Sequence, residues 1–264
     1  MYGLLERERP HVSVLTDGGG HRNQPRLEKT AAVVDDAGSK RGRIFGRLPD
    51  GVVYDALLAG DLALFSGLAE ELAEDWIANE IDCVVGDAAE GYNSVHDVWR
   101  MVIDAAVAYA GAKGRRIENC ECYAVAPPDQ SPAGVERYEV TLNDAALARK
   151  LQVVRAYHPR LAADVDAALS GDLFYGIASL SGLQIMGEAF ERLHASIASL
   201  LRGVPLDALR REFFWRRDPN VRADPAPPFY ERYGEELVRL GKYAQVIRYE
   251  KHLRPISDAL RAAR

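Results

Sequence analysis

Asp87, Glu90, Tyr92, Asn93 and His96 fall close together in the stretch CVVGDAAEGYNSVHDVWRMVIDAAV, Cys83 to Val107. An imidazole there can ligate a metal or serve as an acid–base group, and a carboxylate can join it as a metal ligand. A change of period positions them. Cys83 to Gly86 is a short apolar run with two β-branched residues, enough for one buried strand of a parallel sheet that stops at Asp87. Val95, Val98, Trp99, Val102 and Ala106 then recur at helical spacing, so the sequence predicts a strand, a loop over 87–94 and an amphipathic helix. In open α/β sheets ligands collect beyond the carboxyl ends of the strands, which makes this loop the first place to expect chemistry.

Each residue of the loop also has a plainer reading. Ser94 with Asp97 resembles a capping box, and Gly91 and Asn93 suit turn geometry. His96, in the first turn of the predicted helix, is expected to be held neutral by the helix dipole, the form that ligates a metal or polarises a carbonyl. Its ring is expected to face a concave pocket, near Asp17 and His21, with a carboxylate or carbonyl partner on its second nitrogen.

The preceding chain repeats the pattern. HVSVLT, residues 11–16, reads as a buried strand that ends at Asp17-Gly18-Gly19-Gly20-His21-Arg22. A helix follows, with Pro25 in its first turn, Leu27, Ala31 and Val34 on one face, and Gly38 at its end. The three glycines can cradle a phosphate. Asn23, however, stands where G-x-G-x-x-G needs its third glycine, and no Walker lysine follows. Arg43 to Phe45 is a candidate short strand, and Asp50 reads as punctuation in the turn-rich 46–51. Leu64, Leu68, Leu72 and Ile77 stripe a helix over 62–79. The first third therefore alternates strand and helix, the pattern of a doubly wound, mostly parallel α/β sheet.

Beyond the central helix, 119–126 and 138–142 read as strands with a loop over 127–134 between them. Asn143 or Asp144 can cap a helix over 145–157, and further helices are predicted over 159–169 and 173–201, the second with His194 beside its packed face. Phe213 to Arg217 reads as a packing corner, 225–228 as a turn, and the end as helical to Leu240, broken at Gly241 and resumed near Val246. The expected organisation is an α/β domain over 1–145 with a mainly helical extension over 146–264 packed on it.

Composition bounds the function. With 264 residues, 48% hydrophobic and 27% charged, the chain has the make-up of an ordinary globular protein, and its net charge of -6 argues against a nucleic-acid partner. No run approaches the ~20 apolar residues of a membrane span, and MYGLLERERP holds no signal-like stretch, so a cytoplasmic protein without a membrane partner is expected. Of three cysteines, Cys83 falls in a strand, while Cys120 and Cys122 form a C-x-C pair expected to face opposite ways if extended. Neither disulfide nor zinc-finger spacing is present.

The ordered series Leu15-Thr16-Asp17-Gly18, then Arg26 and Glu28, then Leu48-Pro49-Asp50-Gly51, then the strand, loop and His96, resembles the LmbE-like (PIG-L) deacetylase superfamily over roughly the first 110 residues. The resemblance implies a Rossmann-like fold and hydrolysis of an N-acyl group on an amino sugar or related small molecule. A divalent metal, commonly zinc, would activate the attacking water. The chain departs from the family in lacking its His-Pro-Asp-Asp, and Asn93-Ser94-Val95-His96 keeps only the last histidine of the family's second motif. On this resemblance His96 and Asp17 are the expected catalytic groups, and Arg26, Asp50, Glu90, Tyr92 and Asn93 bind substrate. His96, His21 and Asp87 form a replacement metal set. The alternative is a metal-free or non-catalytic protein that binds a small molecule on the same fold. A homo-oligomer is compatible with either.

Overall fold

The computed structural model describes residues 1–19, 25–122, 135–157, 210–217 and 228–262. The predicted helices over 159–169 and 173–201, His194, the loop 127–134 and His21 lie outside the described residues.

Strand β1 (His11–Thr16) pairs in parallel with β2 (Lys40–Leu48) across helix α2 (Leu27–Asp36), with Thr16 opposite Leu48. The α2 helix starts at Leu27 with Arg26 as its N-cap, so Pro25 precedes the helix and lies outside its first turn. Gly38 follows its end at a φ of 69°, as its sequence position predicts. Strand β2 is nine residues long where the sequence predicts three. Its inward positions include Gly42, Ile44 and Gly46, and two glycines carry no apolar signal. The outward positions Arg41, Arg43 and Arg47 complete a pattern of period two that reads as polar.

Asp50 opens a helix the sequence reading missed, α3 (Asp50–Ala59), which buries Val53, Ala56 and Leu57. Pro49, extended at ψ 146°, sets its entry, and the Asp50 carboxylate suits the positive end of the dipole. Gly51 and the β-branched pair Val52-Val53 are poor helix formers, which hid it. Helix α4 (Leu62–Ala78) is capped by Asp61, whose carboxylate accepts from the Leu64 N–H at 3.0 Å.

Strand β3 (Cys83–Asp87) crosses through helix α5 (Ser94–Ala112) to a parallel neighbour, β4 (Glu118–Cys122). Strand β5 (Arg137–Thr141) and helix α6 (Asp144–Tyr157) follow, the helix with Asn143 accepting from the Ala146 N–H at 2.9 Å. Strand β6 (Arg211–Arg216) then enters antiparallel to both β4 and β5, giving the order β3-β4-β6-β5. Phe213, Phe214 and Trp215 are therefore the buried interior of a strand, which corrects their reading as a corner. The protein is mixed α/β. Its described strands form two sheets, β1-β2 parallel and β3-β4-β6-β5 mixed, and no β1–β3 ladder closes them into the one doubly wound sheet that the alternation predicts.

One core joins the elements that carry the site. Leu15, Ile44, Leu57, Phe65, Leu72, Val98 and Val102 meet in it. So do Leu253, Ile256 and Leu260 from the C-terminal segment, which consists of α7 (Phe229–Arg239), a π-helical turn (Tyr249–Leu253) and α8 (Arg254–Ala262). A second cluster packs Cys120, Val140, Leu142, Leu147 and Phe214 under α6 and α1 (Tyr2–Glu8). Cys120 and Cys122 both belong to this side of β4, because residues two apart on a strand share a face, and the expectation that they face opposite ways is wrong. No described helix is long and apolar enough to cross a membrane.

Candidate functional site

The carboxyl end of β3 and the N-terminus of α5 meet at a hydrogen-bonded pair. Asp87 is the last residue of β3, and its Oδ2 lies 2.9 Å from His96 Nδ1. Both side chains are a little under half exposed, 43% and 46%, so the pair is open to an incoming molecule. The other carboxylate oxygen, Oδ1, faces the Cys122 thiol at 4.0 Å, a weak contact from the paired end of β4. Burial pushes the Asp87 carboxyl up, but the hydrogen bond and charge of His96, with the charge of Arg100, outweigh it and hold the group below its usual range. His96 moves the other way: the bond to Asp87 raises it, over an opposing effect of burial, with the charges of Asp97 and Glu90 adding to the rise.

That direction corrects the expectation of a ring kept neutral by the helix dipole. A terminal dipole is worth roughly 0.3–1 kcal/mol, whereas a hydrogen bond to a charged group is worth about 1.5–3. The carboxylate partner therefore decides the protonation of His96.

The helix start is displaced by one residue from the capping box expected at Ser94. Asn93 is the N-cap, with its Oδ1 accepting from the Val95 N–H at 2.9 Å. Asn93 thus has a structural task, and His96 occupies the third helical position. Asp97 is freed from capping and turns back into the loop, where Oδ1 accepts from the Gly91 N–H at 3.2 Å. Its Oδ2 is buried with no partner, and burial pushes the carboxyl up to about 6. Gly91 sits at a φ of 68°, and its carbonyl accepts from the Tyr230 N–H at 3.3 Å, which ties the loop to α7.

Tyr92, beside these, is 46% exposed and stacks on Phe229 at 5.7 Å, and Phe229 stacks on Tyr233 at 5.7 Å. Burial raises the Tyr54 hydroxyl, and the charges of Asp50, Tyr243 and Tyr233 add to the shift. Tyr92, Phe229 and Tyr233 therefore form a row of stacked rings, and Tyr54 lies within electrostatic reach of Tyr233 and of the buried Asp50 at the start of α3. Glu90 is half-buried in the same loop and acts on His96 by charge.

Asp17 and Arg26 are engaged at the end of β1. The Asp17 carboxylate accepts from the Gly19 N–H at 2.9 Å, and Arg26 Nε donates to the Gly18 carbonyl at 2.9 Å. The described part of the glycine loop thus uses donors and acceptors within itself. His21 lies outside the described residues, so the structure brings together Asp87 and His96 of the expected metal set. No group of three or more His, Cys, Asp and Glu able to hold a metal occurs among the described residues. One imidazole and one carboxylate, bonded to each other, fall short of the three protein ligands of a catalytic zinc, so the described residues do not fit that ion.

Two concavities formed by described residues stand out. A groove of about 670 Å³ runs between α2 and α6, past Lys29, Val33, Arg149 and Tyr157, and a small cavity of about 20 Å³ lies between α5 and α8. His96, Asp87, Asp17 and Asp50 line neither. His96 has the carboxylate partner that was expected, and the concave pocket expected around its ring is not one of these two. Sequence reasoning missed three participants, Asp97, Arg100 and Cys122. The spacing of four between His96 and Arg100 marks them as helix neighbours, but nothing in the sequence tells that Arg100 would reach the Cys120 carbonyl or that Cys122 would face Asp87.

Comparison with protein-family models, with curated proteins and with solved structures finds no match to this chain.

Proposed function

We propose that the Asp87–His96 pair is the working centre of a hydrolase acting on an amide bond of a small polar molecule, a sugar-like or polyol compound of the class that the LmbE-like resemblance implies. The observation that carries this reading is the 2.9 Å contact at a strand's carboxyl end, with both partners accessible. With Nδ1–H donated to Asp87, the neutral tautomer leaves the lone pair on Nε2. Nε2 takes a proton from a water as its oxygen bonds the amide carbonyl carbon, and returns it to the nitrogen as the C–N bond breaks. Asp87 steadies the imidazolium formed in between. Exposed Tyr92 offers an apolar face to the substrate, and Glu90 a hydrogen-bond acceptor. Arg26 and Asp50 would bind the far end of a longer substrate, and Asp17 would assist at the carbonyl. In this reading the two ladders are halves of a divergent Rossmann-like sheet, and the protein works in the cytoplasm. A zinc ion in the same place would need donors beyond Asp87 and His96, with His21 the third in the set that the resemblance implies.

Release of acetate from a panel of N-acetylated amino sugars tests the reading. His96→Ala should lower the rate by about 10²–10⁴ with the fold intact by circular dichroism. The rising limb of the pH profile should move to lower pH in Asp87→Asn, because the group that raises His96 is gone. A rate unchanged in His96→Ala overturns the proposal. Activity abolished by a chelator and restored by zinc points to the metal form. The lack of a third ligand among the described residues favours a second reading, a metal-free binding protein; a substrate analogue that raises the melting temperature without turnover would select it.

A further inference from the structure

The cysteines of β3 and β4 stand on one face of the sheet in three different surroundings. Cys83 is exposed at the start of β3, Cys120 is fully buried, and Cys122 is half-buried with its thiol 3.5 Å from the Gly86 carbonyl. The parallel register sets Cys83 opposite Glu118 and Val85 opposite Cys120. Residues two apart on a strand share a face, and so do directly opposed residues, which makes Cys83 and Cys120 diagonal neighbours on that face.

Their thiols meet. Cys120 donates a hydrogen bond to Cys83, and this outweighs burial and the charges of Glu118, Asp82 and Glu8 to hold Cys83 below its usual range. The same bond, with burial, pushes Cys120 up, and burial pushes Cys122 up to about 12. One sulfur is thus reachable and more readily ionised, and a protonated one is sheltered beside it. Three carboxylates act on Cys83, so an oxidant that reaches it has to be small and uncharged. A hydroperoxide meets that description, whereas the anionic glutathione disulfide is repelled.

We propose that Cys83 and Cys120 form a peroxide-reactive dithiol, in which Cys83 is oxidised first and Cys120 closes the disulfide. The Cys83 thiolate attacks hydrogen peroxide: an S–O bond forms, the O–O bond breaks, hydroxide leaves, and the sulfur passes two electrons to the peroxide. The Cys120 sulfur then bonds to the Cys83 sulfur as the S–O bond breaks, and its proton leaves with the oxygen as water. Diagonal strand neighbours lie roughly 7–8 Å apart at Cα and bridged cysteines about 4.4–6.8 Å, so the disulfide draws the amino end of β3 along β4. Cys83 can follow, being the first residue of β3, which is the outer strand of the order β3-β4-β6-β5. The switch does not depend on the proposed hydrolysis.

The test treats the whole reduced chain with hydrogen peroxide and then alkylates it. Two of its three thiols should be lost, peptide mapping without reductant should join Cys83 to Cys120, and dithiothreitol should restore both. Cys83→Ser, an exposed change, should slow the loss about tenfold or more, and Cys120→Ala should leave on Cys83 a sulfenic acid that dimedone traps. Circular dichroism checks both folds, and mapping of the wild type decides even if Cys120→Ala does not fold. Three thiols that survive peroxide, or a bond between Cys120 and Cys122, would overturn the proposal. Cys83 carried on to the sulfinic acid while Cys120 stays reduced does the same.

Discussion

Asp97 carries the largest electrostatic cost of the loop after β3. Its side chain is buried, the carboxylate is met by backbone N–H groups of the loop, that of Gly91 at 3.2 Å, and Oδ2 has no hydrogen-bond partner among the described residues. A carboxyl whose folded value lies near 6, above an unfolded value near 3.9, stabilises the protein fully below pH 4, and that contribution is lost as the pH rises through 6. Two units correspond to about 3 kcal/mol of penalty at pH 8. Asp97→Asn keeps an acceptor for Gly91 and removes the charge. We expect it to gain about 1–3 kcal/mol at pH 8 and nothing at pH 4, read from urea midpoints at both values; a loss at pH 8 would contradict the account. His96 and Asp87 bracket a different window. His96, raised in the fold, contributes below its unfolded value near 6.5 and loses this as the pH rises through the folded value. Asp87, lowered, contributes above about 3.9 and loses this as the pH falls through its folded value. The pair is therefore strongest between those limits. At this scale the sequence implied that Asp87 and His96 lie close together, because a strand end and a helix start nine residues apart have to be near each other. The sequence did not show which force sets the charge on the imidazole, since that depends on a 2.9 Å contact.

Among the elements, β3 and α5 fit together through one missing side chain. A Cβ at Gly86 would stand 2.6 Å from Ile103 Cδ1 and 3.3 Å from Arg100 Nη1. The glycine thus lets α5 lie close enough for the Arg100 guanidinium to reach the Cys120 carbonyl across β4. Gly86→Ala should destabilise the protein by about 1–3 kcal/mol, the range for overpacking a core, seen as a lower urea midpoint with an unchanged slope. A neutral effect would show that α5 can shift at no cost. The amphipathic period of α5 was legible because Val95, Val98, Trp99 and Val102 are all apolar and all buried. The helix α3 and most of β2 were not legible. In β2 the inward positions on either side of Ile44 are glycines, and α3 opens on Gly51, Val52 and Val53, poor helix formers, so local propensity pointed to a turn where packing enforced structure.

For the whole molecule, Glu212 links parts of the chain that are distant in sequence. Buried on β6, it accepts from the Gly3 and Leu4 N–H groups at 3.1 and 3.0 Å and pairs with Lys150 Nζ at 2.9 Å. One carboxylate thus joins α1, α6 and the central strand of the second ladder. Burial pushes it up, but the Met1 amine and Lys150 outweigh this and hold it below its usual range. Its contribution is present above the unfolded value near 4.3 and is lost as the pH falls through the folded one. Glu212→Gln should cost roughly 3 kcal/mol at pH 7, in the range for breaking a buried pair, and the gap to the wild type should close as the pH falls toward 3. Chemical denaturation at the two pH values would show it, and a gap independent of pH would rule out the charge as its source.

What the sequence determined alone is the part governed by local period and composition: a mixed α/β chain, the strand–loop–helix around Asp87 and His96, the caps at Asn143 and Gly38, and the lack of a described membrane-spanning helix. What the tertiary structure decided is everything that depends on partners far along the chain. Antiparallel β6 enters between β4 and β5 from about seventy residues beyond β5, and it buries the aromatics that read as a corner. Cys122 comes to face Asp87, Tyr230 comes to bind Gly91, and Arg217 comes to pair with Asp104. The physical reason is that hydrophobic period is a property of neighbours in sequence, whereas hydrogen bonds in a buried site and the order of strands are chosen by whichever distant groups satisfy the polar atoms left when the core closes.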